Sequence, residues 1–252
     1  MILTRRRALV GGLAVGAGGL LGGCDAVGNS PLGRRVLFSG DDAHRILQRG
    51  ITDRNALVPE FRADQMSPVF RSNGTRNPNT PDYNAAAASR FADWRIAIDG
   101  LVARPFSLSL ADLRAMPART QITRHDCVEG RREIGKWTGP RLKPILGLAG
   151  LKDSARYLVF HCADRFGTHP YYESIDLIDA FHPQTILAWL LNDRLLDVPH
   201  GAPVRLRVEK HLGYKHAKYI HRIEAVATLD GIGRGKGGYW EDVAGYDWYA
   251  GI

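Results

Sequence analysis

The sequence predicts an α+β fold of mixed sheets and short helices. Short strand-like runs alternate with short capped helical runs, and no regular strand–helix–strand rhythm joins them. The first strand is read at Trp94, Ile96 and Ile98, where apolar residues alternate with polar or small ones. Gly100 and Pro105 punctuate the chain after it. Ser109-Leu110-Ala111-Asp112 has the form of a capping box, so a short helix opens there and stops near Pro117. Residues 121–125 are strand-like and deliver the chain to Asp126-Cys127. Residues 142–148 read as a short helix closed by Gly150. Residues 157–160 and 185–191 read as buried strands, the second followed by an Asn192-Asp193 turn. Residues 204–208 alternate again, and residues 220–228 read as a last strand.

Of the 252 residues, 44% are hydrophobic and 24% charged, an ordinary globular balance that excludes a disordered or collagen-like chain. Cys24, Cys127 and Cys162 are too few and too scattered for a disulfide scaffold. The net charge of +8 comes without a basic cluster interleaved with stacking aromatics, so nucleic acid is not the expected partner. Three of those charges are Arg5-Arg6-Arg7, ahead of an apolar, Gly-rich run from Leu9 to Leu21. That run is shorter than the roughly 20 residues of a membrane span and reads as an export signal. It resembles a twin-arginine leader, which exports proteins already folded. Leu21-Gly22-Gly23-Cys24 resembles a lipoprotein cleavage box, with Cys24 as the lipidated residue. The expectation is a periplasmic protein anchored by lipid, with a leader at 1–23. An irregular segment follows at 24–92, including a turn-rich loop at 71–81. A core at 93–230 and an aromatic tail at 231–252, laid over the core as a strap, complete the chain. Folded export most often serves a bulky cofactor inserted before transport.

Cys127 stands in Arg124-His125-Asp126-Cys127-Val128-Glu129-Gly130 at a strand end. A thiolate is a soft metal ligand and needs a positive field to stay ionised, for which Arg124, His125, Arg131 and Arg132 are candidates. The residues alone leave other readings open. Cys127 also reads as a small buried hydrophobe, or as a metal-free nucleophile with His125 as its base. A zinc set of His125, Cys127, His161 and Cys162 matches no standard spacing.

The run Cys127-Val128-Glu129-Gly130, followed by Ile134-Gly135-Lys136-Trp137-Thr138-Gly139, resembles the molybdopterin-binding domain of the sulfite oxidase family. The likeness is nearest to its bacterial periplasmic branch, which includes the catalytic subunit of the methionine sulfoxide reductase system. Tyr171-Tyr172-Glu173-Ser174-Ile175-Asp176, His182-Pro183-Gln184-Thr185, His200-Gly201-Ala202-Pro203-Val204-Arg205-Leu206 and Gly213-Tyr214-Lys215 agree in order. The resemblance implies a molybdenum oxidoreductase that transfers an oxygen atom, with one molybdopterin and one molybdenum. It implies Cys127 as the metal's protein ligand and Glu129 near the metal, handling protons or positioning substrate; a salt bridge to a neighbouring arginine is the alternative for Glu129. For the cofactor it implies contacts from Asn73, Thr75, Cys162, His200, Arg205, His216, Ala217 and Lys218. Without it, Arg205 reads as a solvent-facing charge, His200 and His216 as surface histidines, and Cys162 as core.

The branch commonly carries Gly-Trp-Ser or Ala-Trp-Ser where this chain has Gly130-Arg131-Arg132, so a more cationic pocket mouth and an anionic or strongly polar substrate are expected. There is no Cys-x-x-Cys-His haem site. The resemblance therefore implies a separate electron partner, either a membrane haem subunit or a cytochrome, and reduction of S-oxides or N-oxides. A non-catalytic lipoprotein of the same fold is the alternative.

Overall fold

A computed structural model describes residues 43–252 of the chain, which divides into two units, Met1–Asp53 and Arg54–Ile252. The described part of the first is helical at 43–51. The leader and Cys24 lie outside the described residues.

The second unit holds three sheets and a few short helices, the α+β architecture expected. The largest sheet runs in the order β2 (Phe106–Ser109), β1 (Arg95–Gly100), β11 (Ile220–Val226), β5 (Tyr157–Phe166), β6 (His169–Asp176). Only β1 and β11 pair in parallel, with Ala97 opposite Arg222. Ile96 and Ile98, the alternating residues of β1, are buried in the main core with Leu158, Phe160 and Ile223. A four-stranded sheet runs β3 (Ala118–Asp126), β4 (Arg132–Pro140), β8 (Leu190–Leu191), β9 (Arg194–Leu195). A small ribbon pairs β10 (Arg205–Arg207) with β7 (Ile186–Ala188).

The helices follow their caps. In α1 (Pro81–Ala88), the Thr80 hydroxyl accepts from the Tyr83 amide and Pro81 sits in the first turn. That helix lies inside the segment read from sequence as irregular; a cap, a proline and four alanines outweighed the turn formers before them. The Ser109 and Asp112 capping box opens α2 (Leu110–Ala115) as expected. In α3 (Leu142–Ala149), Leu142, Ile145, Leu146 and Ala149 are buried and Gly150 closes it at φ +67°. A single turn, α4 (Leu177–Ala180), follows β6, and the aromatic tail forms α5 (Tyr239–Ala244).

Gly139 on β4 passes against the backbone of β7. A Cβ there would lie 2.0 Å from the Leu187 carbonyl oxygen and 2.7 Å from the Ala188 Cα. Neither atom is free to move, so Gly139→Ala is expected to destabilise the fold by at least about 2 kcal/mol. Gly147 in α3 has open space around it. Gly147→Ala should therefore be neutral or stabilising by up to about 1 kcal/mol. Urea melts of the two variants check the contrast; equal stability would contradict this packing.

Candidate functional site

Two alternate residues of one strand begin the site. Alternation places Arg205 and Arg207 of β10 on one face of the ribbon and Leu206 in the core. Both arginines are buried, against the sequence reading of Arg205 as a solvent-facing charge. Their guanidinium carbons lie 4.9 and 4.3 Å from the ring centre of Trp137, itself fully buried on β4. A ribbon facing another sheet turns its polar stripe inward, which one strand's alternation does not reveal.

Arg207 is compensated. Its Nε and Nη2 donate to the two carboxylate oxygens of Glu209 at 2.9 and 2.5 Å, and its Nη1 donates to His125 Nδ1 at 2.8 Å. Nδ1 of His125 is therefore the unprotonated nitrogen, and Nε2–H faces the Asn73 amide at 2.9 Å. That polarity assigns the amide oxygen of Asn73 to the ring. Burial, then the Arg207 charge, holds His125 well below the usual imidazole range. The sequence offered His125 as a neighbour of Cys127, but its partners lie 52 and 82 residues away, so its bonds to Asn73 and Arg207 were not legible locally.

Arg205 has no carboxylate hydrogen-bonded to it. It donates to the carbonyls of His200 at 3.1 Å and His216 at 3.4 Å, and its Nε has no partner. Burial, then Arg207, pulls it down to about 9. Lys218 is pulled to about 7 by burial and then by Arg205. Its ammonium donates to the carbonyls of Asn73, Thr75 and Pro199, tying the 73–75 loop to the core.

Arg205 and Lys218 open onto a cleft whose walls also include Asn73, Thr75, Cys127, Glu129, Asp164 and His216. Cys127 begins the β3–β4 turn. Its amide donates to the Arg131 carbonyl and its carbonyl accepts from the Gly130 amide, with Gly130 at φ +84°. The half-buried thiol is thus fixed at a strand end, as the sequence suggested. Glu129 is exposed and pairs with Arg131 at 3.2 Å, while Arg132 turns to Asp126 at 3.3 Å. The two arginines therefore meet local carboxylates, which offsets the cationic mouth expected of them. Among the described residues, no three His, Cys, Asp or Glu gather to hold a metal, and His161 of the zinc set bonds Glu224 at 2.9 Å instead.

The remaining expected contacts lie elsewhere. His200 is spent on Asp197 at 2.5 Å and the Phe70 carbonyl at 2.9 Å. Ala217 is buried, and its carbonyl accepts from the Leu206 amide. Cys162 sits in the main core and borders a second cavity beside α1. Asp164, on β5 and outside every motif, enters the cleft instead.

The cleft suits an anionic pterin. Arg205 Nε is an unpaired donor, while Asp164 Oδ1 and His216 Nδ1 are unpaired and buried. His216 Nε2 faces the His211 carbonyl at 3.0 Å, so its Nδ1 is an acceptor. Buried polar atoms without partners are costly. Here a group rich in both donors and acceptors, carrying negative charge beside Arg205 and Lys218, satisfies them together. A single thiolate likewise fits a metal that arrives already held by its cofactor's sulfurs.

Fold and cleft together define an oxidoreductase domain that binds a pterin cofactor. The family model for the oxidoreductase molybdopterin binding domain matches residues 83–230, and the chain belongs to that family. Molybdenum-bearing molybdopterin is its cofactor. It is similar, at 33% identity over 98% of this chain and 88% of the relative, to an Azospira oryzae protein named for a protein-methionine-sulfoxide reductase subunit, YedZ1. It is 30% identical to the Ralstonia nicotianae protein-methionine-sulfoxide reductase catalytic subunit MsrP over 89% of this chain and 70% of that one. The sulfane dehydrogenase SoxCD of Paracoccus pantotrophus shares the fold, with a TM-score of 0.50 and 23% identity over 54% of this chain and 39% of that one.

Burial raises the Asp164 carboxyl to about 6, with the Thr75 hydroxyl and Lys218 opposing. In cofactor-free protein, the folded state therefore binds more protons than the unfolded one between about pH 4 and 6. Stability falls as pH rises through that window, and at pH 8 the ionised carboxylate costs on the order of 3 kcal/mol. Asp164→Asn should raise the melting temperature of cofactor-free protein at pH 8, with the gain fading toward pH 4. A pH-independent difference would contradict this assignment.

Proposed function

We propose that the protein reduces S-oxides in the periplasm, with Cys127 as the protein ligand of the molybdenum. The buried cations Arg205 and Lys218, neither hydrogen-bonded to a carboxylate, beside a rigid strand-end thiol carry this reading. The likeness to two methionine-sulfoxide reductase subunits supports the direction of reaction.

When bound, the cofactor supplies two-electron oxygen-atom transfer chemistry. The chain does the rest. Arg205 and Lys218 offer positive charge for the phosphate end, Arg205 Nε a free donor, and His216 Nδ1 and Asp164 acceptors for pterin N–H groups. Asn73 and Thr75 would close over it on a loop that Lys218 holds by two carbonyls, those of Asn73 and Thr75 themselves. His125 keeps Asn73 in place, and Arg207 sets its tautomer. Cys162, His200 and Ala217 support these walls from behind, His200 through its carbonyl on Arg205. Reducing an S-oxide to a thioether and water consumes two protons and two electrons. Glu129, exposed at the rim and paired with Arg131, would pass protons from solvent. The electrons come from a separate partner, a membrane haem subunit or a cytochrome, and a lipid on Cys24 would keep the enzyme beside it.

Reduced viologen dye supplied with methionine sulfoxide or trimethylamine N-oxide, and ferricyanide as electron acceptor supplied with sulfite, test the reading. Oxidation of the dye with methionine sulfoxide is expected, falling at least about 1,000-fold in Cys127→Ala while the circular dichroism spectrum is unchanged. Full turnover by Cys127→Ala, or oxidation of sulfite without reduction of any S-oxide, would overturn it.

A further inference from the structure

The cleft has a second character that the polar groups do not explain. Five of its wall residues are aromatic, and they touch in one unbroken line. Tyr214 meets Tyr246 at 5.0 Å between ring centres, and Tyr246 stacks on Trp240 at 5.9 Å and 26°. Trp240 meets Phe166 at 5.2 Å, and Phe166 meets Tyr171 at 6.0 Å. Trp240 and Tyr246 are half-buried and lie beyond residues 83–230, the extent of the family match. They return to the cleft on the C-terminal segment.

That segment is firmly held. Lys215 lies 2.7 Å from Glu173 and 2.5 Å from Glu241 of α5, with all three side chains buried. Asp242 accepts from the Tyr172 hydroxyl at 2.6 Å and from the Arg234 amide at 2.8 Å. The Trp248 indole donates to Ser174 at 2.8 Å, and the Tyr214 hydroxyl to the Asp247 carbonyl at 2.7 Å. A wall so braced is pre-organised.

Aromatic faces are electron-rich and attract polarisable or partly positive groups. The sulfur of an S-oxide carries partial positive charge, and sulfur and methyl groups pack well on aromatic rings. A small oxyanion such as sulfite gains nothing from such a wall. Resting on the proposed S-oxide reduction, we infer that Trp240 and Tyr246 form the specificity subsite of the cleft. The subsite seats the S-methyl end of an alkyl sulfoxide of the methionine sulfoxide type, and does so with residues outside the shared family domain.

N-acetyl-methionine sulfone amide is an unreducible probe of this subsite. Its Kd on the cofactor-loaded enzyme, measured by calorimetry, is expected to rise about tenfold in Trp240→Ala and in Tyr246→Ala. Trp240→Phe should stay within about threefold of wild type, as an aromatic face is retained. KM for N-acetyl-methionine sulfoxide amide should rise in parallel, with kcat changed less than about threefold and molybdenum content unchanged. Sulfone binding that depends on Trp240, without any S-oxide turnover, would support the subsite while removing the proposed reaction. S-oxide turnover with an unchanged KM in both alanine variants would overturn the subsite while leaving the reaction standing. Failure of the wild-type enzyme to bind the sulfone would also overturn it.

Discussion

The site depends on two guanidinium groups buried against one indole. Arg205 and Arg207 share the face of Trp137, but only Arg207 has a carboxylate, Glu209, in contact. A buried cation without a counterion is expensive. Its depressed proton affinity, and that of Lys218 beside it, record that cost. A protein keeps such an arrangement where a ligand brings the missing negative charge, and a phosphate-bearing pterin does so. Neutralising Arg205 internally, as Glu209 does for Arg207, would leave the cleft with less to offer an anion.

The rest of the site is arranged around that pair. Arg207 dictates the tautomer of His125, His125 orients Asn73, and Lys218 ties the Asn73–Thr75 loop across the cleft by backbone carbonyls. Each of these links joins residues far apart in sequence. The 73–75 loop and strand β10 are thus coupled through buried polar contacts, where loss of one partner strands the next. The β3–β4 turn adds Cys127 at a fixed height, and the C-terminal segment closes the cleft with aromatic rings.

Local features were legible in the sequence and long-range ones were not. The alternation of Ile96 and Ile98, the Ser109 and Asp112 box and the Gly150 helix end each announce an element within a few residues, and each stands in the fold. Cys127 was legible as a strand-end thiol for the same reason. The helix at Pro81–Ala88 was obscured by the turn formers ahead of its Thr80 cap. Arg205 misled because its strand pairs only with the short β7 and faces Trp137, a fact of tertiary packing. Asp164 carries no motif, and His125 was singled out only as a neighbour of Cys127; its actual partners, Asn73 and Arg207, lie on a distant loop and strand. The tail was read as a strap, and its two cleft-lining aromatics could be told from its other aromatics only in three dimensions.

The chain belongs to a family whose cofactor is a molybdenum-bearing pterin, and the unpaired buried groups of the cleft suit that cofactor. The most direct test is elemental analysis with pterin quantification on protein purified from a host that makes the cofactor. About one molybdenum and one pterin per chain are expected, both lost in parallel in Arg205→Met. Wild-type protein containing neither molybdenum nor tungsten, in a host where other molybdenum enzymes are loaded, would contradict it.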